Sequence, residues 1–352
     1  VGRDNVVVET IQFHPPKEFN SVEAAFAYKG KVDANDVISL LVYLAQKGYI
    51  EIVEGQKGLF GNQDFTIRKL KEYDGNNAIE RAFMKGLFRG SRYDITNKDQ
   101  LKDKFYKTVN KILKMVNTKQ NRQVLFYANS INKHLICYAM MAGIFFLATY
   151  LPIYDYTYNA TFSLTVPIMF GFVLAFIIRT IFSSETIFSK ILSVVMSIAM
   201  ISGYCLGLRN VVFYTPTIYR IAFVLAIIAC GVIMFFDYYM PKRTEYGTEV
   251  LGRLQGFRTF LQTAEKDRLE TMVEREPQYF YNILPYAYVL DVSDIWMEKF
   301  ESIAIEPPQW YSSHGHYNTF DTVRFHHFMN TTMRSATAAM TSTPSSKGSG
   351  GS

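Results

Sequence analysis

Histidine pairs are the side chains with the most obvious metal-binding chemistry in this sequence. His314 and His316 are separated by one residue, and His326 and His327 are adjacent. Imidazole nitrogens at short spacing bind zinc, but a specific zinc site needs further cysteine, histidine or carboxylate ligands at suitable positions. No such ligand completes either pair, so the sequence predicts no metal site.

The charge run at residues 265–268 contains carboxylates of the kind that a general acid or base requires. Adjacent opposite charges on a helix usually form a solvated face that is stabilised by pairs four residues apart. We therefore interpret this run as structural. An enzyme acting through this region is the alternative, and in that case Glu265, Asp267 or His316 would carry the chemistry.

The three cysteines, Cys137, Cys205 and Cys230, all lie in the apolar central third of the sequence. A single thiol among apolar residues behaves as a small hydrophobic side chain, so we predict neither a disulfide nor a metal ligand. The sequence thus predicts no catalytic residue and no cofactor. The formal charge of +6 is modest, so the position of the basic residues matters more than their excess.

A basic amphipathic juxtamembrane helix at residues 97–133 is the best candidate for a binding surface. Its lysines share one helical face: Lys104, Lys107, Lys111 and Lys114. Its apolar residues share the opposite face: Leu101, Phe105, Val109, Ile112 and Val116. Such a helix suits anionic lipid head groups, at about 1 kcal/mol for each nearby cation. Equally, the apolar face could pack on its own domain and leave the lysines merely solvated.

Residues 134–241 contain four largely apolar segments, namely 135–151, 162–182, 191–208 and 221–240. Each is close to the roughly 20 residues that cross a hydrocarbon core about 30 Å thick. The helices of a soluble domain would instead show a polar stripe every three or four residues, which these segments lack. We therefore predict a multi-pass α-helical membrane protein with four transmembrane helices.

Small residues recur at helix-packing spacing in these segments, at Gly171 and Ala175 and again at Gly203 and Gly207. Such pairs allow close approach of helix backbones in lipid. Ionisable residues are absent from the middle of the segments, whereas pumps and ion-coupled transporters place them there. The pattern favours an anchor or an interaction bundle over a conduction path.

The distribution of basic residues predicts the orientation of the chain. An even number of crossings would return the chain to its starting side. Basic residues flank the first span, the second loop and the last span, whereas the first outer loop has none. By the positive-inside rule, both flanking domains are predicted to be cytoplasmic at the cell membrane, with Arg209 and Arg220 beside the third loop as exceptions.

The two flanking domains differ in type. Residues 1–96 predict a winged-helix-like α/β domain. Helices at about Ser21–Tyr28 and Asn35–Lys47 precede a β-hairpin whose strands are predicted at residues 49–53 and 65–70. The would-be recognition helix, Asp36–Lys47, has few of the side chains that read DNA bases, so nucleic acid is not a favoured partner. Residues 242–311 predict an α-helical domain, and residues 312–352 predict a flexible low-complexity tail.

Several separate blocks of sequence occur in the order found in one known family. The blocks are Gly30–Asp33, Asp36–Leu41, Tyr43–Tyr49, Phe260–Leu269, Leu284–Ala287 and Pro307–Tyr311. Over residues 1 to about 311 the chain resembles the YciQ-like predicted bacterial membrane proteins, a family of unknown function. Because members begin with a signal peptide, an extracytoplasmic β-rich domain and a further membrane helix, the resemblance implies that this chain is a C-terminal portion. It supplies no catalytic residues.

We therefore expect a membrane scaffold or signal-coupling protein. Its partners would be the lipid bilayer and a protein, either another chain or a second copy of itself. The alternatives are a membrane enzyme acting through the domain after the spans and a membrane-tethered DNA-binding regulator. Salt-sensitive DNA binding by residues 1–90 would support the last of these.

Overall fold

The computed structural model describes most residues outside the apolar third of the chain and fewer within it. The described residues are 7–57, 63–89, 94–161, 163–168, 195, 199, 202, 209, 214, 216–238, 242–312 and 320–344. The chain divides into a smaller unit that includes Phe126–Arg243 and a larger unit formed by Asn5–Leu125 with Thr244–Ser352. The smaller unit is therefore inserted into the sequence of the larger one.

Helices form most of the described structure. In chain order, those with described bounds are α1 (Ser21–Lys29), α2 (Ala34–Ile38), α3 (Leu40–Gln46), α4 (Ala78–Leu87), α5 (Lys98–Leu101), α6 (Tyr106–Val116), α7 (Lys119–Leu125), α8 (Ala128–Thr157), α9 (Thr217–Tyr238), α10 (Glu245–Thr263), α11 (Lys266–Arg275), α12 (Tyr279–Val289), α13 (Ser293–Lys299) and α14 (Thr322–Thr341). Local side chains fix their ends. At α1, Glu23 N donates to Asn20 Oδ1 and Asn20 N donates to the Glu23 carboxylate, both at 2.9 Å.

A four-stranded mixed sheet joins the two parts of the larger unit. Its strands are β1 (Ile50–Lys57), β2 (Gln63–Lys69), β3 (Ile95–Asn97) and β4 (Tyr311–Ser312), in the order β3-β2-β1-β4. β1 and β2 form an antiparallel hairpin, with Ile52 opposite Ile67. β4 runs parallel to β1, with Ile52 opposite Tyr311. A strand from the C-terminal part therefore completes a sheet that begins in the N-terminal part.

An aromatic cluster forms the centre of the larger unit. α12 contributes Phe280 and Tyr281, α13 contributes Trp296, and α14 contributes Phe325, all at most 1% exposed. The Phe280 ring lies 6.3 Å from both the Trp296 and the Phe325 rings, and the Tyr281 ring lies 5.7 Å from the Phe325 ring. These helices thus share one core with the sheet.

The fold class predicted from the sequence is wrong. Within the residues that the structure describes, no helix combines the length and the apolar character needed to cross a membrane. Two of the four predicted spans, 162–182 and 191–208, lie mostly outside the described residues. The two flanking regions were predicted as separate domains, but they share the mixed sheet and one core. That pairing joins residues about 260 positions apart, which local sequence patterns do not reveal.

The winged-helix prediction is not supported, because its recognition helix is buried. The predicted helix over Asp36–Lys47 is divided at Ser39 into α2 and α3. Ser39 Oγ lies 2.6 Å from the Asp36 carbonyl and 2.7 Å from Ser21 Oγ. Val37 and Leu41 are fully buried, as is most of α3. A helix used for the core in this way cannot present a face to a DNA groove.

The sequence predicts a flexible tail over residues 312–352, but Thr322–Thr341 within it form a packed helix. α14 begins after Asp321, whose carboxylate accepts hydrogen bonds from Val323 N and Arg324 N. The buried side chains recur at helical spacing: Phe325, Phe328, Met329, Thr332, Met333, Ala336, Ala339 and Met340. This stripe of Phe and Met residues gives the helix a face to bury, although its composition is dominated by small and polar residues.

The two ends of the insertion meet within the larger unit. Thr244 N donates to the Leu125 carbonyl at 2.9 Å, and Thr244 Oγ1 donates to the Val124 carbonyl at 2.7 Å. Gly247 packs against the Leu125 backbone so closely that a Cβ at residue 247 would clash with the Leu125 carbonyl oxygen. The chain therefore leaves the larger unit and returns to it at one point.

α8 and α9 pack against each other in the smaller unit. Residue numbers rise along α8 and fall along α9 in the contacts Met141 with Cys230, Phe145 with Phe223, and Asp155 with Tyr219, so the helices are antiparallel. Both helices also expose large apolar side chains, such as Leu147 and Leu225. The predicted helix-packing residues Gly171, Ala175, Gly203 and Gly207 lie outside the described residues.

Candidate functional site

The single basic helix predicted over residues 97–133 is divided in the structure into α5, α6, α7 and the start of α8. Residues 102–105 form a turn, in which Asp103 takes a left-handed conformation that interrupts the helix. Lys107, Lys111 and Lys114 lie on α6, and Lys104 lies in the turn before it.

The apolar face of α6 is buried in the larger unit, with Val109 and Ile112 at most 2% exposed. Asn117 anchors the end of the helix, because its side chain accepts from Val32 N at 2.9 Å and donates to Val32 O at 2.8 Å. The apolar face thus packs on its own unit, as in the second of the two interpretations of the sequence.

The same packing leaves Lys107, Lys111 and Lys114 on one side of α6, with Lys104 in the turn before it. Lys104, Lys107, Lys111 and Lys114 are all exposed. The ion pairs formed by described residues involve other cations, such as Lys29, Lys69 and Arg324. The positive charge of this row, which we call the lysine face, is thus uncompensated within the described part of the chain. Because α6 is fixed by its buried side, the lysine side chains extend from a backbone of fixed position.

A cleft adjoins one end of the lysine face. It is a cavity of about 300 Å³ whose lining comes from α4, α5, α6 and the segments between them. Lys104 and Lys107 line it, together with Arg89, which follows the end of α4. Arg89 is a functional candidate that the sequence analysis missed. No periodicity links residue 89 to the lysine row, because their proximity depends on the packing of α4 on α6.

Comparison with known protein families supports a membrane context. The family model described as "Predicted membrane protein (DUF2207) C-terminal domain" matches residues 10–187 and 178–300, which together cover most of the chain. The chain belongs to the DUF2207 family. The resemblance to this family that the sequence blocks indicate is therefore confirmed. No curated protein and no solved structure gives a significant match to the chain.

Two of the three acid–base candidates of this DUF2207 chain, Glu265 and Asp267, lie within the described residues. Glu265 and Asp267 are exposed, and Glu265 occupies the residue before α11. Lys266 Nζ lies 3.6 Å from the Glu270 carboxylate, as expected for a surface pair four residues apart. His316 lies outside the described residues.

Histidines and carboxylates in the described residues form no group of three that could hold a metal ion. His326 Nδ1 instead lies 2.9 Å from the Glu301 carboxylate, and His327 is exposed. His314 lies outside the described residues. The described contacts of His326 therefore join α14 to the segment after α13.

Two carboxylates of the DUF2207 chain, Glu23 and Glu80, lie in a largely buried polar network. Asn20 Nδ2 and the Tyr73 hydroxyl each donate to Glu80 at 3.0 Å, and Asn77 Nδ2 donates to Glu23 at 2.8 Å. Burial, with the nearby Glu80 charge, raises the pKa of Tyr73 to about 12, so its hydroxyl stays a donor at neutral pH. Amide and hydroxyl donors thus satisfy these carboxylates, which makes the network a structural link between α1 and α4.

Proposed function

We propose that this DUF2207 chain is a membrane-associated scaffold or signal-coupling protein whose larger unit is held against an anionic membrane surface by the lysine face. One observation carries the proposal. The apolar side of α6 is used inside the larger unit, and the lysines remain as an exposed row with no described counter-charge. Such a row has the chemistry that recognises anionic head groups rather than a lipid interior.

The expected strength of this contact is modest. At about 1 kcal/mol for each cation near an anionic surface, four lysines contribute roughly 4 kcal/mol. Stable attachment requires a second contact as well. The exposed apolar side chains of α8 and α9 support such a contact, because large apolar surfaces on a protein usually meet another protein or a membrane. The description of the family as membrane proteins supports it too.

We further propose that both parts of the larger unit lie on the cytoplasmic side of the cell membrane. Support for a common compartment comes from β1 and β4, which pair in one sheet although they lie on either side of the insertion. Support for the cytoplasmic side comes from the basic residues that border the insertion, because the cytoplasmic leaflet carries the anionic lipids that attract them.

The scaffold role places protein binding on the larger unit, with another chain or a second copy as the partner. It accounts for a large folded unit in which the buried carboxylate of Glu80 takes part in structural contacts. Co-purification from membranes tests this part of the proposal. Recovery of neither a stable partner nor a self-associated form would count against it.

Reversing charge within the lysine face is expected to weaken attachment to anionic membranes. Replacing Lys107 and Lys111 with glutamate removes two cations at about 1 kcal/mol each, so binding should fall at least ~30-fold. Flotation of the purified full chain with vesicles measures this, using phosphatidylcholine with and without phosphatidylglycerol. The matched control reverses Lys17 and Lys266, which are also exposed and give the same net charge. An equal loss in the control would mean that net charge, not the lysine face, drives binding.

A further inference from the structure

The cleft beside the lysine face brings Arg89 together with Lys104 and Lys107. The proposed membrane attachment involves the two lysines but not Arg89. The volume of the cleft is about 300 Å³. Of the described residues, no aspartate or glutamate belongs to this lining. Asp99 and Asp103 are part of the same stretch of chain but lie outside it. The cleft is therefore a positively charged concavity.

Close packing of α4 on α6 fixes the shape of the cleft. Gly86 of α4 faces Thr108 of α6, and a Cβ at residue 86 would lie 2.5 Å from Thr108 Oγ1. Phe105, which also lines the cavity, meets Phe83 edge to face with ring centroids 5.2 Å apart. Leu101 and Phe105 are each 2% exposed, so the apolar part of the lining belongs to the core. The cleft is thus formed before any ligand binds.

The polar groups of the lining are mainly hydrogen-bond donors. Gln100 Oε1 accepts from Asn97 N at 3.0 Å, which orients the side chain and leaves its amide NH₂ as the donor. Thr96 Oγ1 donates to the Leu87 carbonyl at 2.8 Å and is used within the fold. Arg89 adds a planar fork of N–H groups that matches phosphate oxygens, and lysines add compact charges.

We propose that this cleft binds an anion with a terminal phosphate monoester, whose phosphate contacts Arg89, Lys104 and Lys107. A phosphate monoester carries a charge of about −1.5 to −2 near neutral pH, which three cations match better than the single charge of a phosphodiester. This inference deepens the proposed function and rests on it through Lys104 and Lys107, which belong to both surfaces.

A terminal phosphate monoester occurs in small soluble metabolites and in the head group of phosphatidic acid. Titration of the full chain with sn-glycerol 3-phosphate, followed by calorimetry, tests the soluble source. Saturable binding is expected, and Arg89→Gln and Lys104→Gln should each weaken it roughly tenfold or more, because each removes a charge-assisted hydrogen bond. Lys114→Gln, on the lysine face outside the cleft, should leave it unchanged. All three positions are exposed, so the unfolding midpoint should not change.

Flotation with vesicles that contain phosphatidic acid or phosphatidylglycerol tests the lipid source. Arg89→Gln should weaken binding to phosphatidic acid and leave binding to phosphatidylglycerol unchanged. Dependence on Arg89 in either arm supports the inference and identifies the source. Indifference to both Arg89→Gln and Lys104→Gln in both arms overturns it. If the Lys107 and Lys111 reversal still weakens binding to phosphatidylglycerol, the proposed function stands without the phosphate site.

Discussion

Replacing Phe325 with alanine is expected to lower the free energy of unfolding of the larger unit by about 3–5 kcal/mol. Phe325 is 1% exposed, and its ring lies 5.3 Å from that of Tyr311 and 5.7 Å from that of Tyr281. Truncation would remove these contacts and leave a cavity where α12, β4 and α14 meet. Such a loss is large compared with the total stability of most domains.

Tryptophan fluorescence during denaturation measures this loss selectively. The chain has two tryptophans, Trp296 and Trp310, and both are buried in the larger unit. Val323→Ala is the matched control, because Val323 lies on the same helix and is 52% exposed. The control should change stability by less than about 0.5 kcal/mol. Equal midpoints for Phe325→Ala and the wild type would show that α14 does not pack on the core.

Removing the Glu54 carboxylate is expected to destabilise the larger unit by roughly 2–3 kcal/mol. Glu54 on β1 is 3% exposed. It accepts a hydrogen bond from the Tyr311 hydroxyl at 2.7 Å and one from Arg324 at 3.1 Å. One carboxylate thus links β1 to β4 and to α14. In Glu54→Ala, the Tyr311 hydroxyl loses this described acceptor and Arg324 loses this described counter-charge.

Two further variants separate burial from charge at this position. Glu54→Gln preserves an acceptor for Tyr311, so its loss should be smaller, about 1 kcal/mol. Glu72→Ala removes a carboxylate that is 87% exposed and paired with Lys69, and it should stay within about 1 kcal/mol of the wild type. The same fluorescence measurement applies to both. A Glu54→Ala midpoint that matched Glu72→Ala would mean that the link between the two parts of the chain contributes little.

Local signals in the sequence located several elements well. The helix predicted at Ser21–Tyr28 begins at Ser21 and ends one residue later, where Gly30 takes a left-handed conformation. The strands predicted at residues 49–53 and 65–70 form the β1–β2 hairpin, with somewhat different bounds. Caps, glycine stops and alternation act over a few residues, so one sequence is enough to detect them.

Elements whose structure depends on residues distant in sequence were not predicted. β4 has only two residues, and its strand character comes from pairing with β1. α14 has a run of small and polar residues that suggests a tail, yet Phe325 and Met329 find a core supplied by other helices. Because the flanking regions are separated in sequence by the insertion, their common sheet has no local signature.

The candidate site also combines features that the sequence predicts with features that depend on contacts between distant residues. Helical periodicity predicts the lysine face, and in the structure Lys107, Lys111 and Lys114 lie on α6 whereas Lys104 lies in the turn before it. The sequence left open whether the apolar face of this helix contacts lipid or the protein core. Arg89 joins the site only through the packing of α4 on α6, at Gly86 and Thr108. Tertiary contacts therefore decided both the role of α6 and the extent of the cleft.

The acylation rate of individual lysines tests the contact between the lysine face and anionic lipid most directly. The full chain would be treated with a water-soluble acetylating reagent beside vesicles of phosphatidylcholine, with or without phosphatidylglycerol, and each lysine quantified by mass spectrometry. With phosphatidylglycerol, Lys104, Lys107, Lys111 and Lys114 should react several-fold more slowly, because lipid phosphates cover them. Exposed Lys17 and Lys266 should keep their rates. Unchanged rates on the lysine face, or an equal slowing at Lys17 and Lys266, would contradict the proposed attachment.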